Sequence, residues 1–225
     1  MSENIGICGV IGSGKSHVAK TIAEHRNLHY VSADLVFKED VLPNPEYVTE
    51  LRKFLGRMPP GTADFDPFAG GVYQTKSMSE FLFQDPDDSV CATRLEVLNY
   101  FNSDFLQPAL TARMHGRACV LEMATLPDYE HLPSLGIEKI ACVVDDNDEP
   151  VTEIDRSTRL AAVARDGHRH PLITATIARL QKQRRESWRK RKDVWFITNR
   201  DRDGVYMTDE QIVSAFDLAG FTRAL

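Results

Sequence analysis

Five short runs of the chain are apolar at nearly every position instead of every second one: Ile5 to Cys8, His29 to Val31, Ala118 to Met123, Lys139 to Val144 and Val194 to Thr198. A strand with one face in water alternates apolar and polar side chains, so continuous runs predict strands covered on both faces, as in a parallel sheet between helical layers. Helical spacing separates most of the runs, beginning with Val18-Ala19-Lys20-Thr21-Ile22-Ala23, and this alternation is the signature of βαβ units. The predicted fold class is α/β, a five-stranded parallel sheet flanked by helices. Ligands of such sheets bind beyond the carboxyl ends of the strands. The residues after each run are therefore the candidate site: the loop from Gly9, Ser32-Ala33-Asp34, Ala124-Thr125, Asp145-Asp146 and Asn199.

Two stretches break the pattern. From Pro43 to about Asp88 the chain is rich in Pro, Gly and aromatics (Pro59-Pro60-Gly61, Phe65, Pro67-Phe68, Gly70-Gly71, Phe81, Phe83) and holds no convincing strand. A helical insert over about 43–110, covering the acceptor side of the site, is expected; an irregular packed excursion fits the composition as well. From Arg156 to Lys192 the chain is basic. Arg156, Arg159, Arg165 and Arg169 precede Pro171 and suit a lid over about 152–171. Arg179, Lys182, Arg184, Arg185, Arg189, Lys190, Arg191 and Lys192 follow on a helical pattern whose apolar stripe is Ile173, Ile177 and Leu180. That second cluster reads as a solvated helix face, with anion or nucleic-acid contact as the alternative.

Directly after the first run stands Gly9-Val10-Ile11-Gly12-Ser13-Gly14-Lys15-Ser16, a full match to the phosphate-binding loop pattern. Glycines let successive backbone N–H groups turn inward toward an anion because they lack a Cβ. Lys15 can reach β- and γ-phosphates, Ser16 offers a hydroxyl for Mg²⁺, and the following helix aims its positive N-terminal end at the anion. The residues expected to hold a nucleoside triphosphate are Gly9, Ile11, Gly12, Ser13, Gly14, Lys15, Ser16 and His17.

Composition narrows the classes. The 225 residues suffice for one sizeable core with a lid or small insert and are too few for two comfortable α/β domains, so a single domain over 1–225 is expected. The net charge of −6 argues against a general nucleic-acid or membrane-surface partner. Cys8, Cys91, Cys119 and Cys142 lack paired spacing and read as small buried hydrophobes in a reducing compartment. His115, His131, His168 and His170 show no metal-ligand spacing. No leader pattern opens the sequence and no run approaches the ~18 apolar residues of a membrane span, so a cytoplasmic location is expected.

These motifs resemble the dephospho-coenzyme A kinases, P-loop kinases related in architecture to nucleoside monophosphate kinases. Ile7 to Ser16 looks like the family's opening, and Ser32-Ala33-Asp34 stands where the family has Asp-Ala-Asp. Gly71-Val72-Tyr73-Gln74 and Met78 to Phe83 are similar to its acceptor segment, with Gln74 where an arginine is usual. Arg159-Leu160 through Arg165-Asp166-Gly167, then Arg179 to Gln183, is similar to its lid and the helix after it. Asp193-Val194 to Asn199 is similar to its last strand, with an asparagine near the adenine. The middle departs: Gln107-Pro108 replaces His-Pro, and Ala124-Thr125-Leu126 replaces Pro-Leu-Leu.

The resemblance implies ATP with Mg²⁺ as cofactors, a small nucleotide-like acceptor, a step of coenzyme A biosynthesis, and Arg159 and Asn199 as nucleotide ligands. Lys15, Asp34 and Arg165 would be the catalytic set, and Asp34, Gln74 and Lys76 the acceptor contacts. Asp34, beyond the second strand, could orient an acceptor hydroxyl and take its proton, or could be a turn or N-cap aspartate of a helix starting near Leu35. Glu122 could hold Mg²⁺ through water beside Ser16, or could sit in a structural hydrogen-bond network. Three readings stay open: a kinase acting on a ribose 3′-hydroxyl, a (deoxy)nucleoside monophosphate kinase, and a non-catalytic nucleotide sensor.

Overall fold

The computed structural model describes residues 4–9, 13–57, 66–83, 88–144, 179–180, 183–199 and 206–221. All five apolar runs are strands: β1 Asn4–Gly9, β2 His29–Ser32, β3 Cys119–Glu122, β4 Ile137–Val144 and β5 Val194–Thr198. They pair only in parallel, in the order β2-β3-β1-β4-β5. β1 thus lies at the centre, where the strand order reverses direction and a ligand crevice opens at the carboxyl edge. The helices are α1 (Lys15–Arg26), α2 (Ala33–Val36, continued by a π-helical turn Phe37–Val41), α3 (Pro45–Leu55), α4 (Thr75–Phe83), α5 (Asp88–Met114) and α6 (Asp209–Leu218). A further helical segment covers 183–188.

Successive side chains of each strand enter opposite layers. Ile5, Ile7, Val120, Ala141 and Val143 meet Val18, Ala19, Ile22 and Ala23 of α1 and Ile212, Val213 and Phe216 of α6. Cys8, Leu121, Ile140, Cys142 and Val144 meet Leu110, Met114, Leu126 and Trp188 on the other side. Both faces are dry, which is why the runs lack alternation. Arg26, only 7% exposed, ties α1 to α6 by donating to Asp217 over 2.7 Å. All four cysteines are buried and no disulfide joins them.

The described part of the insert is helical and has a core of its own. Asn44 accepts the Glu46 N–H at 2.9 Å and Pro45 takes the first helical position, a strong start signal for α3. Tyr47, Leu51 and Leu55, four residues apart, then bury one stripe against Phe68, Met78, Leu82, Phe83, Cys91, Leu98 and Leu180. The expected boundary near residue 110 falls inside α5, which runs through Pro108 to Met114. Its first half packs with the insert and its last turns with the sheet layer.

The described part of the basic stretch is anchored by Trp188 and otherwise keeps most of its charges exposed. Trp188 is 1% exposed and its indole N–H donates to Asp128 Oδ1 at 2.7 Å. Arg184 lies 3.7 Å from Asp128, Arg189 stacks 4.9 Å from the Phe196 ring centre, and Arg191 pairs with Asp193 and donates to the Pro127 carbonyl. The lid, with Arg156, Arg159, Arg165 and Arg169, lies outside the described residues, as do Ile11, Gly12, Asp145, Asp146, Ile173 and Ile177. Among the described residues no helix is long and apolar enough to cross a membrane.

Candidate active site at the phosphate loop

The loop after β1 is held by contacts that leave room only for glycine at two positions. Gly9 has φ +155°, and a Cβ there would come within 2.6 Å of the Val143 carbonyl oxygen and 2.7 Å of Ser13 Oγ. Gly14 has φ +80°, and its Cβ would stand 2.2 Å from Asn199 Nδ2. Left-handed backbone already disfavours an L side chain, and these neighbours add a steric block. Asn199, 1% exposed just past β5, donates its side-chain amide to the Ser13 carbonyl at 2.7 Å, and its backbone carbonyl accepts the Met207 N–H at 2.8 Å. The asparagine assigned to the nucleotide base by resemblance therefore braces the underside of the loop. Ser13 is fully buried, and its hydroxyl has no hydrogen-bond partner among the described residues.

Glu122 is the centre of the site. It closes β3 in register with Ile7 of β1 and Ser32 of β2, which carries it to the carboxyl edge beside the loop. Ser16 Oγ donates to its Oε1 at 2.7 Å, Lys15 Nζ lies 3.7 Å from the same oxygen, and the Tyr30 hydroxyl donates to Oε2 at 2.5 Å. At 5% exposure a carboxylate requires such partners. Of the two sequence expectations for Glu122 the structure shows the buried network, and that network includes the lysine and serine of the glycine-rich motif. Tyr30 escaped the sequence reading. A phenol inside an apolar strand run needs a partner for its hydroxyl, and that was the available signal. Burial raises the Tyr30 pKa well above that of an ordinary phenol, with the Glu122 hydrogen bond and charge next and Asp34 adding to it; the Ser32 hydroxyl opposes them.

On the acceptor side, α2 starts at Ala33 with Ser32 as its cap residue, two positions before the expected start near Leu35. Asp34 is not the N-cap. It is exposed in the first turn, where a negative charge is favoured by the helix dipole, and its charge reaches Tyr30. Gln74 closes its own turn: its amide N–H donates to the Ala69 and Val72 carbonyls at 3.1 Å each. The backbone of Lys76 is in α4, and its side chain is outside the described set. His17, expected among the nucleotide contacts, directs its imidazole to Asp209 of α6 at 3.5 Å.

The donors gathered at the loop suit a divalent, oxygen-seeking ion: one hydroxyl and one carboxylate, with Lys15 supplying positive charge alongside. Hard oxygen ligands and retained waters are the preference of Mg²⁺. The residues present fit both Mg²⁺ and a polyphosphate.

The sequence matches no family model and no curated protein. Solved structures do resemble it in fold. The Thermus thermophilus protein TT1252 is 18% identical with a TM-score of 0.59, over 98% of this chain and 98% of its own. The dephospho-CoA kinase from Campylobacter jejuni is 15% identical with a TM-score of 0.50, over 99% of this chain and 100% of its own. Shikimate kinase from Bacteroides thetaiotaomicron is 11% identical with a TM-score of 0.50, over 97% and 98%. At these identities the likeness is one of architecture. The chain has the α/β fold of the P-loop kinases, five parallel strands flanked by helices with the phosphate loop leaving the central strand.

Proposed function

We propose that the chain is an ATP- and Mg²⁺-dependent small-molecule kinase whose acceptor presents a hydroxyl, as the ribose 3′-hydroxyl of dephospho-coenzyme A does. The observation that carries the reading is the meeting of Lys15, Ser16 and Glu122 at the loop. Ser16 would bind Mg²⁺ directly and Glu122 through water, and the ion would neutralise charge on the β- and γ-phosphates. Lys15 would hold those phosphates and gain strength as charge moves toward the leaving oxygen. Arg159 and Arg165 of the lid would close over the transferred group, Arg159 on the donor phosphates and Arg165 chiefly in the transition state.

Asp34 would orient the acceptor. Its oxygen accepts the hydroxyl proton as the acceptor oxygen bonds to γ-phosphorus, the bond from that phosphorus to the β,γ-bridging oxygen breaks, and ADP leaves. An exposed carboxylate at this rim favours a neutral hydroxyl over a phosphate acceptor, which it would repel. Gln74 and Lys76 would contact the remainder of the acceptor. The location proposed is the cytoplasm.

The test is transfer from γ-labelled ATP to a panel of dephospho-coenzyme A, shikimate and the deoxynucleoside monophosphates. Transfer to a hydroxyl acceptor, dependent on Mg²⁺, is the expected result. Transfer only to the phosphate of a monophosphate would replace the acceptor class, and ATP binding without transfer to any acceptor would favour a sensor.

A further inference from the structure

Among the described residues Glu122 has three partners, and two are residues that a bound nucleotide would claim. Lys15 would turn to the phosphates and Ser16 to Mg²⁺, ending the 3.7 Å and 2.7 Å contacts that now fix Oε1. A carboxylate 5% exposed would then keep one of these anchors, the Tyr30 hydroxyl 2.5 Å from Oε2. We infer that Tyr30 is a positioning residue, which holds Glu122 at the metal edge of the loop once Lys15 and Ser16 have exchanged it for nucleotide and Mg²⁺. The inference rests on the nucleotide-binding reading above and adds a residue that neither the loop pattern nor the family resemblance contains.

The geometry suits the task. Tyr30 pairs with Val120 and Ser32 with Glu122, so Tyr30 and Glu122 lie diagonally on the same face of two neighbouring parallel strands, the distance a phenol spans. That face is the α1 side. The ring is half-buried among the residues packed against α1, with the Lys20 ammonium 5.7 Å from its centre. Strand pairing and ring packing leave the hydroxyl little freedom, so the hydrogen bond fixes one oxygen of Glu122 and aims the other toward Ser16. Partners of this second kind orient metal-binding carboxylates, and their loss weakens metal affinity ~10- to 100-fold.

The test uses Tyr30→Phe, which keeps ring and packing and removes only the hydroxyl. ATP binding is measured on the full chain with a fluorescent ATP analogue, first in EDTA and then across a Mg²⁺ titration, together with the thermal midpoint. The expected outcome is an affinity in EDTA within about twofold of wild type, a midpoint lowered by no more than the loss of one hydrogen bond to Oε2, and a Mg²⁺ concentration for half-maximal enhancement raised about tenfold. Glu122→Gln should raise the Mg²⁺ requirement likewise, and the double variant should raise it no further than Glu122→Gln alone. An unchanged Mg²⁺ requirement in Tyr30→Phe, beside a wild type that binds ATP more tightly with Mg²⁺, overturns the role of Tyr30 and leaves the site reading standing. Equal weakening with and without Mg²⁺ overturns it in favour of packing. A wild type whose ATP binding ignores Mg²⁺ brings down the site reading itself.

Discussion

The donor and acceptor halves of the site are built differently. On the proposed donor side several described groups are held by the sheet: Glu122 ends a strand, Asn199 follows another and braces Ser13, and Gly9 and Gly14 are hemmed in by Val143 and Asn199. The proposed acceptor side is the start of α2, which carries Asp34, together with an arm, α3 to the first half of α5, packed round Tyr47, Leu51, Leu55 and Leu82. Its candidate contacts are exposed, as Asp34 is, or turned into their own loop, as Gln74 is. The difference teaches that, on the proposed reading, phosphate geometry is set by groups built into the sheet core while acceptor recognition falls to an element with a buried cluster of its own. Of the departures from the resembled family, Gln74 falls on that arm, while Gln107-Pro108 lies in the second half of α5 and Ala124-Thr125 follows β3.

The contrast can be broken first at Asp34. Asp34→Asn keeps size and exposure and removes the proton acceptor, so turnover should fall ~10²- to 10⁴-fold while the dissociation constant for ATP holds. Steady-state kinetics with a separate ATP titration checks both. Equal loss in both would join Asp34 to the donor half.

Leu51→Ala sharpens it next. Leu51 is fully buried in the arm's own cluster, and truncating such a leucine costs ~2–5 kcal/mol through lost contacts and the cavity left behind. Urea unfolding should register that loss. ATP affinity of the folded variant should stay within about twofold, because none of its contacts touch the loop; a parallel fall in ATP affinity would show that the two halves are one mechanical unit.

The fold was legible because burial on both faces leaves a mark any strand must carry: five continuous apolar runs, all of which are strands. The phosphate loop was legible because its chemistry is local. Tyr30 was not, because its partner lies 92 positions away and the contact exists only once β2 pairs with β3. α5 was hidden for two reasons. Pro108 stands inside it, where a proline ordinarily ends a helix. It also serves two cores in turn, with Cys91 and Leu98 facing the arm and Leu110 and Met114 the sheet layer, so no single apolar stripe runs its length. The solvated face expected of the basic stretch is seen at Arg179, Arg189, Lys190 and Lys192, which are exposed; what composition did not show is that Trp188 anchors it and that Arg184 and Arg191 reach the loop after β3.

The smallest expected effect concerns pH. The Arg191 guanidinium holds the Asp193 carboxyl below the ordinary aspartate range by hydrogen bond and charge, over 2.6 Å. A depressed folded pKa means that the unfolded chain binds the proton first as pH falls. The pair's contribution is therefore complete above about pH 4 and is lost as pH drops through the folded value. Both side chains are more than a third exposed, so the contribution is under about 1 kcal/mol. Asp193→Asn should flatten the acid limb of a urea-unfolding series by that amount and leave ATP affinity at neutral pH untouched. A steeper acid limb would contradict it.

The most direct measurement is a calorimetric titration of the full chain with ATP, with and without Mg²⁺, beside Lys15→Ala. The expected result is saturable binding strengthened by Mg²⁺ in the wild type, and in the folded variant a loss of about tenfold or more, the size of one charge-assisted contact to a phosphate. Binding to the wild type that Lys15→Ala leaves unchanged, or no binding at all, would contradict the assignment of Lys15, Ser16 and Glu122 as a nucleotide site.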